Sequence, residues 1–185
     1  MIRTITDYYS HEFLEDEGII AAIFITRTQT EYRVYFYPAK DYFENIPEGG
    51  LIYQRGYHFG FTKVAPNENK VEPPDMMVGN TIVNVVKEFF ESYGEENILI
   101  FHCDDFDGKK HKRAKVFDEW FMANETGECF SKHNEEIVVN ELTGEEGVTS
   151  QDLEYLSLII KCSNLNSEIV LEEFQQIKQA LIAGK

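Results

Sequence analysis

The chain has 185 residues, the length of one domain, with enough apolar and aromatic content to bury a core unaided. Its formal net charge of −16 argues against general affinity for nucleic acid or anionic lipid, and favours basic partners. Cys103, Cys129 and Cys162 are odd in number and lack close-paired spacing, which sets aside a disulfide framework or a Cys-rich zinc site and leaves reduced, mostly buried thiols as the expectation.

The first residues contain no apolar stretch of signal-peptide length, and the longest apolar run, Gly18 to Ile25, is too short to cross a bilayer. The expected localisation is cytoplasmic, with no membrane and no nucleic-acid partner. A short helix over Thr6 to Glu15 is one option for the opening segment. Ile19 to Thr26 then reads as a buried strand. Glu31 to Tyr37 alternates, with Tyr32, Val34 and Phe36 on one side and Arg33, Tyr35 and Tyr37 on the other. The polar link Arg27 to Thr30 joins these two as a hairpin, and Pro38 ends the second.

A third strand is predicted over Leu51 to Val64, where Tyr57, Phe59 and Phe61 oppose His58, Gly60 and Thr62. Pro66 to Pro74 is a polar loop. Asp75 caps a helix that runs to about Tyr93, burying Ile82, Val86 and Phe89, with Gly94 just past its end. Asn97 to Cys103 is a short buried strand. A helix from Lys109 to about Asn124 buries Ala114, Phe117 and Phe121. Strands near Glu135 to Glu141 and Tyr155 to Cys162 flank an acidic loop, Thr143 to Asp152. A last helix starts at Asn166 or Ser167 and ends near Ile182. The order β-β-β-α-β-α-β-β-α, with strands clustered before helices, predicts a single α+β domain over residues 1–185, with a mainly antiparallel sheet and two or three helices on it.

The densest chemistry lies between Phe101 and Phe121. Asp104, Asp105 and Asp107, beside His102, offer oxygen donors suited to a hard divalent cation. The calcium-hand template fails: placing Gly108 at its turn position puts Cys103 first and Ala114 last. A solvated acidic turn is therefore preferred to a metal site. Lys109, Lys110, Lys112, Arg113 and Lys115 crowd the start of the following helix, where the dipole disfavours cations. The neighbouring aspartates neutralise them in the plainer reading. In the functional reading, helix amides and cations capture a phosphate. No Gly-rich phosphate loop, nucleophile elbow, His-Glu-x-x-His or Cys-x-x-Cys occurs, so no cofactor is implied. His102 and Cys103 are adjacent on a strand and so face opposite ways, which works against a Cys–His catalytic pair. Trp120 packs in the core or, if exposed, marks a partner surface and leaves room for a homodimer.

Asn80 to Phe90, Leu99 to Asp104, Asp107-Gly108, Arg113 and Phe117-Asp-Glu-Trp-Phe121 together resemble an uncharacterised Bacteroidetes family, domain of unknown function 6169. The resemblance covers residues 75–121. It implies a bacterial cytoplasmic origin and supplies no activity. Two functions are carried forward. The favoured one is a non-catalytic acidic protein that binds a basic protein, as immunity proteins, antitoxins or regulatory accessories do. The alternative is a small enzyme or ligand-binding domain for a phosphorylated substrate, using His102, Asp104, Asp105, Asp107, Lys109, Lys110 and Arg113.

Overall fold

Asp16-Glu-Gly-Ile19 makes the first turn: Glu17 and Gly18 both adopt positive φ (49° and 81°), the conformation a two-residue hairpin of type I′ requires. It joins β1 (His11–Asp16) to β2 (Ile19–Ile25), with Asp16 opposite Ile19. The helical option over Thr6 to Glu15 is thus corrected. The His11–Asp16 segment alternates sides, and pairing with β2 buries Phe13 partly against the core.

The computed structural model describes residues 7–44, 46–64, 75–103, 110–123, 130–143 and 148–183. Beyond the first hairpin they form β3 (Glu31–Pro38), α1 (Ala39–Tyr42), α2 (Leu51–Arg55), β4 (Gly56–Val64), α3 (Met76–Tyr93), β5 (Ile98–Cys103), α4 (Lys110–Ala123), β6 (Phe130–Thr143), β7 (Val148–Lys161) and α5 (Ser167–Ala183). The fold is α+β. One seven-stranded sheet has the order β1-β2-β3-β4-β5-β7-β6. Every pairing is antiparallel except β4–β5, which the crossover through α3 makes parallel.

Two boundaries differ from the sequence reading. Leu51–Arg55 is a helical turn rather than the start of a strand, because Glu173 of α5 accepts hydrogen bonds from the amides of Leu51 (2.9 Å) and Ile52 (2.7 Å). A carboxylate at the helix start satisfies amides that would otherwise lack partners. Most of the predicted loop from Thr143 to Asp152 is strand, since β6 and β7 pair as far as Thr143 and Val148. The expected loop Pro66 to Pro74 lies outside the described residues. Cys103 is free and buried, whereas Cys162 is disulfide-bonded, a departure from the expectation of reduced thiols.

The alternation of strand residues splits the core in two. On one face α3 and α4 cover Ile20, Phe24, Val34, Phe36, Phe59 and Phe101. Asp75 caps α3 through Oδ1, which accepts from the Met77 amide (2.9 Å), while its Oδ2 accepts from the Tyr9 hydroxyl (2.5 Å). On the other face α1, α2 and α5 bury Ile98, Ile100, Leu156, Leu158 and Ile160 against Ile52, Val170 and Phe174. These helices lie over the β4-β5-β7-β6 side of that face, with α1 at the end of β3. Among the described residues, no helix covers its β1–β3 side.

Candidate functional site

The register identifies what the uncovered side displays. Glu12, Leu14 and Asp16 pair with Ile23, Ala21 and Ile19. Ile23 and Ala21 pair with Arg33 and Tyr35, and these with Thr62 and Gly60. Directly paired residues share a face. The surface is therefore a largely apolar and aromatic strip, with Arg33 and Thr62 within it and Glu12 and Asp16 along its outer strand. Leu14 is 51% exposed, Ile25 54% and Tyr37 38%. Tyr35 lies across Gly60, where a Cβ would fall 2.3 Å from its phenol oxygen, so only glycine admits this ring.

The strip ends at α1, where a cleft of about 660 Å³ opens between that helix and the sheet. Tyr35, Tyr37, Tyr42, His58, His102 and Asp41 are among its lining residues. Pro38 positions the wall: it closes β3 and opens the single turn of α1, which carries Asp41 and Tyr42 over the sheet. Tyr42 lies flat on His58, with ring centroids 3.4 Å apart and planes within 7°.

His58 is 3% exposed and neither ring nitrogen has a hydrogen-bond partner among the described residues. Burial, with His102 nearby, lowers its pKa from 6.5 to about 3, so it is a neutral imidazole near pH 7. His102 is different. Its Nε2 lies 3.0 Å from Oε2 of buried Glu154, and its Nδ1 lies 3.4 Å from the Tyr42 hydroxyl. A carboxylate can only accept, so Nε2 carries the proton and donates to Glu154. In the neutral ring Nδ1 then accepts. With His102 neutral, the arrangement is an acceptor nitrogen, fixed by a buried carboxylate, beside a stacked pair of rings.

Of the residues singled out in the sequence, only His102 lines this cleft. Asp104, Asp105, Asp107 and Lys109 lie outside the described residues, and Lys110 begins α4. Arg113 is half-buried on α4, the helix on the opposite sheet face. Lys115 is exposed and approaches Glu119 at 3.9 Å, one helical turn on. Trp120 is half-buried against Gly79 of α3 and 5.8 Å from Phe61. Cys103 points into the aromatic core, away from His102, as strand alternation requires. Among the described residues no group of three or more His, Cys, Asp or Glu side chains converges on one point. No described helix is long and apolar enough to cross a membrane.

Sequence reasoning overlooked Tyr35, Tyr42, His58 and Glu154. His58 sat on the polar side of a well-read strand, and Glu154 interrupts an apolar stretch; each was a usable signal. What joins them is pairing: His58 lies opposite Tyr37 on β3, and the parallel register sets His58 beside Ile100, two residues before His102.

No curated protein matches the chain. One family model does, described as "Family of unknown function (DUF6169)", over residues 74–176. The matched segment contains His102, Trp120 and Glu154, and stops short of Tyr35, Tyr42 and His58. It spans more than half of the sequence, and the chain belongs to this family of unknown function, DUF6169.

Proposed function

We propose that the chain is a protein-binding module whose partner is basic, and that the partner docks on the uncovered side of the sheet. The observation that carries this reading is the composition of that surface: an apolar and aromatic centre from Leu14, Ala21, Ile23, Tyr35 and Tyr37, its cation Arg33 paired with Glu31, and Glu12, Asp16 and Asp41 at its margins. Large contiguous apolar patches on soluble proteins are characteristic of interaction sites. An apolar centre supplies desolvation energy, and a charged rim supplies steering and partner choice. The net charge of −16 extends the same preference over long range.

The test is capture from host lysate by wild type and by two charge-reversed proteins, with captured chains identified by mass spectrometry. One variant carries Glu12→Lys, Asp16→Lys and Asp41→Lys. The other carries Glu168→Lys and Glu172→Lys on α5, away from the strip. A basic protein held by wild type and by the α5 variant, lost from the strip variant and released by salt, is the expected result. Equal retention by the strip variant would move the interface elsewhere. Retention of a phosphorylated small molecule instead of a protein would turn attention to the segment from Asp104 to Lys115.

A further inference from the structure

The Tyr42–His58 stack has an energetic peculiarity. Closing Tyr42 over His58 buries an imidazole whose donor and acceptor are both without partners among the described residues. Buried polar groups of this kind are rare and costly, because each has given up a bond to water. One polar contact of the closed ring is long. The hydroxyl meets His102 Nδ1 at 3.4 Å, longer than a well-made O–H···N contact. Tyr42 is 40% exposed and sits at the end of a one-turn helix whose N-terminus has no side-chain cap. Swinging it outward exposes the His58 ring and frees an acceptor on His102, while Glu154 continues to hold the His102 ring in place.

We propose that Tyr42 is a displaceable cover, and that the slot beneath it binds a small neutral aromatic molecule carrying a hydroxyl or N–H donor on its ring edge. The ligand takes the position of the tyrosine ring. Its face stacks on His58, its edge donor points at His102 Nδ1, and its substituents extend into the adjoining cleft. Ring stacking alone accepts any flat apolar molecule. The fixed acceptor selects for a donor, since a ligand lacking one leaves the His102–Glu154 pair half satisfied. The net charge of the chain disfavours anionic rings. This inference rests on the stacked pair and stands apart from the protein-binding surface.

The probes are 4-methylphenol, which reproduces the tyrosine side chain, and toluene, which lacks the hydroxyl. Both are titrated at pH 8 into protein labelled at histidine and tyrosine, and followed by NMR. Wild type is expected to bind 4-methylphenol saturably, with shifts at His58, His102 and Tyr42, and to bind toluene at least tenfold more weakly. Tyr42→Ala, with no cover to displace, should bind 4-methylphenol at least tenfold more tightly than wild type. His102→Phe should lose the preference for 4-methylphenol over toluene. The toluene comparison in wild type gives the answer even if that variant does not fold. Binding to Tyr42→Ala alone would make Tyr42 a fixed wall and overturn the proposal. Equal binding of toluene, or no binding of either probe, would overturn it as well.

Discussion

Trp120 lies directly over Gly79, so closely that a Cβ at the glycine would sit 2.5 Å from the indole Cγ and Cδ1. The contact lets α3 and α4 approach on the sheet face that they share, and it fixes the only tryptophan of the chain. Alanine inside an exposed helix gains about 1 kcal/mol over glycine, but forcing a methyl into a filled contact costs about 1–3 kcal/mol. Gly79→Ala is therefore expected to lower stability by about 1 kcal/mol in urea unfolding and to shift Trp120 fluorescence. A more stable variant with unchanged emission would show that the contact is loose.

The same logic applies to Gly60 on the opposite face, under the Tyr35 ring. Gly60→Ala should displace the phenol and destabilise the protein. Adding Tyr35→Ala should restore part of the loss, because the double variant has no ring to clash with. A coupling of at least about 1 kcal/mol in a double-mutant cycle is expected. Additive effects would mean that the two side chains avoid each other at little cost.

Acid should find the protein through His58. Burial and the neighbouring His102 hold its pKa at about 3, against 6.5 for the exposed residue. Between those values the unfolded chain binds a proton that the folded protein refuses, so stability falls as pH falls. The slope from this residue is about 1 kcal/mol per pH unit below 6.5, and it vanishes above that value. His58→Phe keeps a ring under Tyr42 and removes the titration. Urea midpoints at pH 7 and pH 5 should drop further for wild type than for the variant; parallel drops would show that His58 titrates normally.

Lys132 and Asp118 form an unequal ion pair between β6 and α4. The lysine side chain is 9% exposed and the aspartate 43%. Burial pulls the lysine pKa down, and the Asp118 carboxylate opposes that shift. Asp118→Ala leaves a buried ammonium with only the neutral acceptors of Asn134 and Ser157 and is expected to cost about 2 kcal/mol, whereas Lys132→Met leaves a carboxylate that water can solvate and should cost under about 1 kcal/mol. The reverse order in thermal unfolding would contradict this account of the pair.

Local pattern carried much of the fold. The two-residue period of Tyr32–Tyr37 and Tyr57–Thr62 gave each side chain its face, and Asp75 announced the start of α3 by its capping chemistry. What escaped depends on distant partners. Leu51–Arg55 is helical because Glu173, far along the chain, supplies its capping carboxylate. Strand β1 escaped because its extended state depends on pairing with β2 across the Glu17-Gly18 turn. The cleft was illegible for a related reason. Tyr42, His58, His102 and Glu154 come from four elements, and only the sheet order makes them neighbours.

The parallel junction of β4 and β5 has a thermal consequence. Its ladder reaches only from Gly56–Ile98 to Phe59–Phe101, while β6 and β7 pair from Phe130–Lys161 to Thr143–Val148. Across that seam the rings of Phe59 and Phe101 lie 5.7 Å apart, and Phe117 of α4 is 5.4 Å from Phe59. The two antiparallel halves of the sheet are joined more by aromatic burial than by backbone bonds, and apolar attraction weakens on cooling. Chilling toward 0 °C should loosen the molecule along this line first, with amide exchange rising in β4 and β5 while the long β6–β7 hairpin keeps its protection.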